Sequence, residues 1–134
     1  MVGLLVNIDV PDLSAGIAFY TAALGLGVAR RFGDGFAELT GGPVPIYLLQ
    51  ADSGTIIGPA GGDERRYGRH WTPVHLDLVV DDLDDAVARA EAAGAVRESG
   101  IADRPYGRIA TFADPFGHGF CLLQFNERGY DALA

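Results

Sequence analysis

The chain carries its own outline twice. Sliding the sequence by 70 residues lays Leu5–Leu24 over His75–Gly94 without a gap, and six of the twenty pairs are identical: Val10/Val80, Asp12/Asp82, Leu13/Leu83, Ala18/Ala88, Ala22/Ala92 and Ala23/Ala93. Alanine is common in this chain, so identity alone is weak, but the same order of structural signals follows in both halves. Each half then closes on Leu-Leu-Gln, as Leu48–Gln50 and Leu122–Gln124, at an offset of 74. A repeat of this kind commits the chain to two copies of one supersecondary unit.

The periods inside the copies say which unit. Val6, Ile8 and Val10 alternate with Leu5, Asn7 and Asp9, and Leu76, Leu78 and Val80 alternate with His75, Asp77 and Val79. Such period-2 patterning is that of a strand with one apolar face. Asp12 and Asp82 stand where a helix N-cap accepts free backbone N–H groups, and helices are predicted over Leu13–Leu24 and Leu83–Ala93, stopped by Gly25 and Gly94. Short strand-like runs follow between glycine and proline turns: Val28–Phe32, Phe36–Thr40 and Val44–Gln50, then Ala95–Glu98, Arg108–Ala113 and Gly119–Phe125. Each unit is therefore β-α-β-β-β, and the fold class is α+β.

The predicted organisation is a first unit over residues 1–50, a Gly- and charge-rich linker over 51–71, a second unit over 72–125 and a tail over 126–134. A lone four-stranded unit is marginal by itself, so one domain is expected to use both. With 134 residues, 49% of them hydrophobic, there is enough apolar content for a real core. Ten Lys and Arg against eighteen Asp and Glu leave a net charge of −8, which disfavours nucleic acid and anionic membranes. The single cysteine, Cys121, allows no internal disulfide, and a reducing cytoplasm is the expected location.

The paired unit, with Val-x-Asp-Leu before an Ala-rich helix bearing Phe19-Tyr20 and Leu24-Gly25, and Asp114-Pro115-Phe116-Gly117 before the last strand, resembles the vicinal oxygen chelate superfamily. That superfamily contains glyoxalase I, bleomycin- and fosfomycin-resistance proteins and extradiol dioxygenases. The resemblance implies two tandem βαβββ units forming a cup-shaped mixed sheet with helices on the outer face. In metal-dependent members it also implies a divalent ion held by one residue from the first and one from the last strand of each unit. Carried onto this sequence, those positions are Leu5, Tyr47, His75 and Cys121. An isobutyl group cannot ligate and a neutral phenol is a poor ligand, so the family's metal site is expected to be incomplete and no bound cofactor is predicted. The competing reading keeps a metal through His75 with Cys121 or Asp77, a donor set that suits Zn²⁺.

Strand alternation sends Asn7, His75 and Asp77 to the face away from the helices, where His75 and Asp77 are one pleat repeat apart. Phe36, Tyr47, Trp71 and Tyr106 are candidate aromatic walls for a planar ligand. The candidate ligand-binding set is thus Asn7, Phe36, Tyr47, Trp71, His75, Asp77, Tyr106 and Cys121. Arg65, Arg66 and Arg69 form the one positive cluster, either a solvated loop or an anchor for an anionic substituent. His75-x-Asp77 with His118 and Arg128 imitates a two-histidine, one-carboxylate iron site, but the repeat argues against the jelly roll that site belongs to. His118 is expected near the rim or in solvent.

The leading expectation is a homodimeric small-molecule-binding protein of the glyoxalase and bleomycin-resistance type, without a metal. The alternative is a metal-dependent glyoxalase-like lyase, isomerase or dioxygenase using His75 with Asp77 or Cys121.

Overall fold

A computed structural model describes all 134 residues. Two compact units divide the chain between Gly68 and Arg69. The first contains β1 (Val6–Val10), α1 (Leu13–Leu24), β2 (Gly27–Phe32), β3 (Phe36–Thr40) and β4 (Ile46–Gln50). The second contains β5 (Leu76–Val79), α2 (Leu83–Ala93), β6 (Val96–Arg97), β7 (Ala102–Arg104), β8 (Gly107–Ala113) and β9 (Gly119–Phe125), then a 3-10 turn over Gly129–Leu133. No helix is long and apolar enough to cross a membrane.

The sheets repeat one topology. In the first unit the strand order is β1-β4-β3-β2, with β1 and β4 parallel and the other pairs antiparallel. In the second it is β5-β9-β8-β6, again with the outer pair β5 and β9 parallel, and with β7 added along β8. Both sheets are mixed, so the βαβββ reading and the α+β class stand.

Each helix packs mainly on the strands that follow it in its own unit. Beneath α1, Val10 and Leu48 are fully buried and come so near that a Cβ on Gly16 would meet Val10 at 3.1 Å and Leu48 at 3.3 Å. In the second unit α2, whose own Leu83 is fully buried, packs on β8 and β9, where Phe112 and Leu122 are fully buried.

The repeated Leu-Leu-Gln has a structural cause. Asp12 Oδ1 accepts from Ala15 N at 2.8 Å and Asp82 Oδ1 from Asp85 N at 3.0 Å, which caps one free N–H of each helix. The first N–H of each helix is capped from the sheet: Gln50 Oε1 accepts from Leu13 N and Gln124 Oε1 from Leu83 N, both at 2.8 Å. An amide at the end of the last strand therefore ties that strand to its helix. We expect Gln50→Ala and Gln124→Ala each to cost about 1 kcal/mol in urea unfolding, the usual net value of such a bond.

The segment read as a linker is not a free connection: Gly54 N, Ile57 N and Arg65 N bond to Arg65 O, Asp63 O and Thr55 O, folding 54–65 into a small hairpin. Tyr67 OH donates to Ala51 O at 2.6 Å and closes the loop on the first unit. The tail is also tied down, because Tyr130 packs on Phe125 and Tyr106 with ring centroids 4.8 and 5.1 Å apart.

Candidate functional site

The second unit gathers three ligating side chains. β5 and β9 place Asp77 opposite Cys121, and His75 precedes Asp77 by one pleat repeat. Their imidazole, carboxylate and thiol donor atoms all lie within 4.8 Å of one another. His75 Nε2 is 3.1 Å from Asp77 Oδ1, and both side chains are about one-third exposed, whereas Cys121 is buried. Burial pushes the Cys121 thiol above its ordinary range. The Asp77 carboxylate adds to that push, and the Thr111 hydroxyl, 3.6 Å from Sγ, works against it.

Trp71 stands beside this group. Its ring centroid is 4.6 Å from that of His75, with 35° between the planes, and the Arg69 guanidinium lies 5.3 Å over the indole. Gly119 makes the position available: a Cβ there would fall 2.0 Å from Trp71 Cε3. The indole is thus seated on bare backbone at the start of β9, yet the residue remains 45% exposed.

The first unit fills the corresponding positions differently. Register sets Asn7 opposite Tyr47, Tyr47 opposite Glu38 and Glu38 opposite Arg30. Arg30 Nε and Nη2 donate to the two Glu38 oxygens at 2.7 and 2.9 Å, and Tyr47 OH donates to Oε2 at 2.5 Å. Phe36 stacks on Tyr47 with centroids 5.3 Å apart. Asn7 is exposed beside them on β1. The bidentate Arg30, and after it the Tyr47 hydroxyl, bring the Glu38 carboxyl from 4.5 down to about 2. The same carboxylate raises the Tyr47 phenol, which keeps its proton.

A depressed carboxyl stabilises the fold above its unfolded value, and that contribution is lost as the pH falls through its folded value. For Glu38 the window runs from about 4.5 down to about 2. The stability gap between wild type and Glu38→Gln is therefore expected to be widest above that window and to shrink inside it, as read by urea midpoints along a pH series.

Other predicted residues fall elsewhere. Tyr106 lies in the turn between β7 and β8 and joins Phe125 and Tyr130, and Phe125 is four residues along β9 from Cys121, about 13 Å by strand rise. The arginine cluster is divided: Arg65 Nε pairs with Asp9 at 2.8 Å in the first unit, while Arg69 pairs with Glu98 in the second. His118, expected near the rim or in solvent, is half-buried and faces His70.

Comparison with known proteins places this architecture. The model of a family described as a glyoxalase-like domain matches residues 5–123. The chain belongs to the glyoxalase-like domain family. The anthracycline biosynthesis protein DnrV of Streptomyces peucetius is 31% identical over 129 residues, which is 96% of this chain and 43% of that protein. This glyoxalase-like chain thus spans less than half the length of that relative. A glyoxalase/bleomycin resistance protein/dioxygenase from Nocardioides superposes with a TM-score of 0.66 at 27% identity, covering 93% of this chain and 83% of its own. The fold also matches a variant of the fosfomycin resistance protein FosX from Listeria monocytogenes, solved with Mn(II) and a dihydroxypropylphosphonic acid. That match has a TM-score of 0.71 at 20% identity, covering 96% and 94% of the two chains.

The family resemblance implies a metal, and the residues present can be tested for it. In the first unit Leu5 offers no donor, and the Tyr47 hydroxyl is held by Glu38. In the second, His75, Asp77 and Cys121 offer nitrogen, oxygen and sulfur close enough to share one ion after small side-chain rotations. That donor set fits tetrahedral Zn²⁺ with one open position and does not fit a six-coordinate, oxygen-preferring ion such as Mn²⁺.

Proposed function

We propose that this glyoxalase-like chain binds a small, planar, largely aromatic molecule, with the exposed face of Trp71 as its wall and the His75–Asp77 pair as its polar anchor. The observation that carries the reading is the indole fixed on Gly119, 4.6 Å from His75 and still 45% exposed. A flat apolar surface beside a few convergent polar groups is the usual make-up of an organic-ligand site. Kinship with an anthracycline biosynthesis protein supports the choice of a planar polycyclic ligand.

The sole tryptophan is the reporter. Titration of EDTA-treated protein with hydroxylated anthraquinones is expected to quench Trp71 emission saturably. The loss of one aromatic contact in His75→Ala should weaken binding about tenfold, which is about 1.4 kcal/mol. No saturable quenching by any planar aromatic, or identical affinity in His75→Ala, would remove this reading.

One observation favours a second reading, a metal-dependent lyase, isomerase or dioxygenase: the convergence of His75, Asp77 and Cys121. A bound Zn²⁺ would polarise a carbonyl or acidify a water at the open position. Here Asp77 and His75 would serve as ligands, and the Cys121 thiol, held protonated by burial, would give up its proton on binding. Ligand binding that appears only after Zn²⁺ is restored to EDTA-treated protein would select this second reading over the first.

A further inference from the structure

The second unit holds another pair of metal-ligating side chains, which neither reading above uses. His70 and His118 are 48 residues apart in sequence, yet His118 Nδ1 and His70 Nε2 are 3.1 Å apart. Their backbones are fixed independently of the rings. His70 and His118 form a parallel bridge, His70 N donates to Gly117 O at 3.0 Å, and His118 N donates to Asp114 Oδ1 at 2.9 Å. Asp114 is itself buried and also accepts from Phe116 N at 2.9 Å, so the turn that presents His118 is braced. The two rings stand at 84° with centroids 5.0 Å apart.

Two imidazole nitrogens bound to one late first-row ion at its usual bond length, with an angle between square and tetrahedral, lie about 2.9–3.4 Å apart. The observed separation falls inside that span; an ion about 2.0 Å from both nitrogens would sit to one side of the line between them, and the two rings would turn toward it. Both half-buried rings sit on elements held by main-chain bonds, and little ordering is left to be done on binding. We propose that His70 Nε2 and His118 Nδ1 chelate a divalent transition ion of the imidazole-preferring kind, Ni²⁺, Cu²⁺ or Zn²⁺, with solvent completing its shell. The site is separate from the His75 group and does not rest on the proposed function. With two protein donors it binds more weakly than a three-donor set and follows the order Cu²⁺ above Ni²⁺ and Zn²⁺. Occupied, it would clamp the Arg69–Trp71 strap to the turn that opens β9, next to the indole wall.

Calorimetric titration of Ni²⁺ into the untagged chain tests this, using a His75→Ala/Asp77→Asn/Cys121→Ser background to remove the three other donors. The background is expected to retain one Ni²⁺ per chain. Adding His118→Gln, or separately His70→Gln, should lower the affinity at least tenfold, and the urea midpoint of the ion-free proteins reports that the fold is kept. Ni²⁺ should also quench Trp71 in the background and not in either glutamine variant. If the background binds no Ni²⁺, or if both glutamine variants bind as it does, the site does not exist. Two variants on opposite sides of the pair keep the test decisive should one of them fail to fold.

Discussion

Gly107→Ala is expected to be the most damaging single methyl that can be added to this chain. Gly107 opens β8 with φ +149, a backbone conformation that L side chains avoid, and a Cβ built there would lie 2.0 Å from Gln124 O and 2.9 Å from Phe125 Cα. Neither neighbour can retreat cheaply. Gln124 is committed through its side chain to the first N–H of α2, and Phe125 is packed by Tyr106 and Tyr130. Gly107 also faces Phe125 directly in the β8–β9 ladder, so relief of the clash would unzip the pairing at that end. Backbone strain and a main-chain clash together place the cost at about 3 kcal/mol or more. In a chain of this size that is a fall of about 10 °C in melting temperature. Urea and thermal unfolding of Gly107→Ala measure it, and a midpoint within about 2 °C of wild type would show that β8 and β9 can part without loss.

How much of this could be read from residues alone follows from where each feature gets its stability. Both helices begin and end where the Asp caps and glycine stops put them, at Leu13–Leu24 and Leu83–Ala93, because capping and periodicity are local. Phe36–Thr40 and Gly119–Phe125 are legible for the same reason. β7 is not, since Ala102–Arg104 has no alternation of its own and is a strand only because β8 lies beside it. Nor is the tail's 3-10 turn, whose Tyr130 needs Phe125 and Tyr106 to pack on.

The site was half visible. The repeat matches Asp77 with Asn7 and Cys121 with Tyr47, and the closeness of Asp77 and Cys121 to each other follows from parallel pairing of β5 with β9. Glu38 does not stand out in the sequence, because a glutamate in a strand is ordinarily solvated. A signal for it did exist: Gly33-Asp34-Gly35 marks a hairpin tip, and counting outward from Phe32 and Phe36 sets Arg30 directly across from Glu38. A buried carboxylate with its cation opposite was therefore within reach of turn arithmetic. The His70–His118 pair had no such signal, because the contact spans 48 residues and rests on one parallel bridge.

Gly119→Ala should separate ligand binding from folding, because it attacks the wall and leaves the core alone. The added Cβ would fall 2.0 and 2.3 Å from Trp71 Cε3 and Cζ3 and 3.0 Å from Arg69 Nη2. A fused ring offers no flexible end to swing aside, so the indole must lift away from β9. Once lifted, it leaves His75 and loses the surface that the proposed ligand needs, while the buried layer of Phe112, Leu122 and Leu83 is untouched. Trp71 is already nearly half exposed, so its release costs the fold little. We expect a red-shifted, more quencher-accessible emission and at least tenfold weaker anthraquinone binding, with a melting temperature within about 4 °C of wild type, about 1 kcal/mol. His75 itself keeps its imidazole and its Asp77 partner in this variant. Zn²⁺ binding by the His75 group should therefore survive where aromatic binding fails, and loss of both together would mean that the indole and the three donors form one indivisible site.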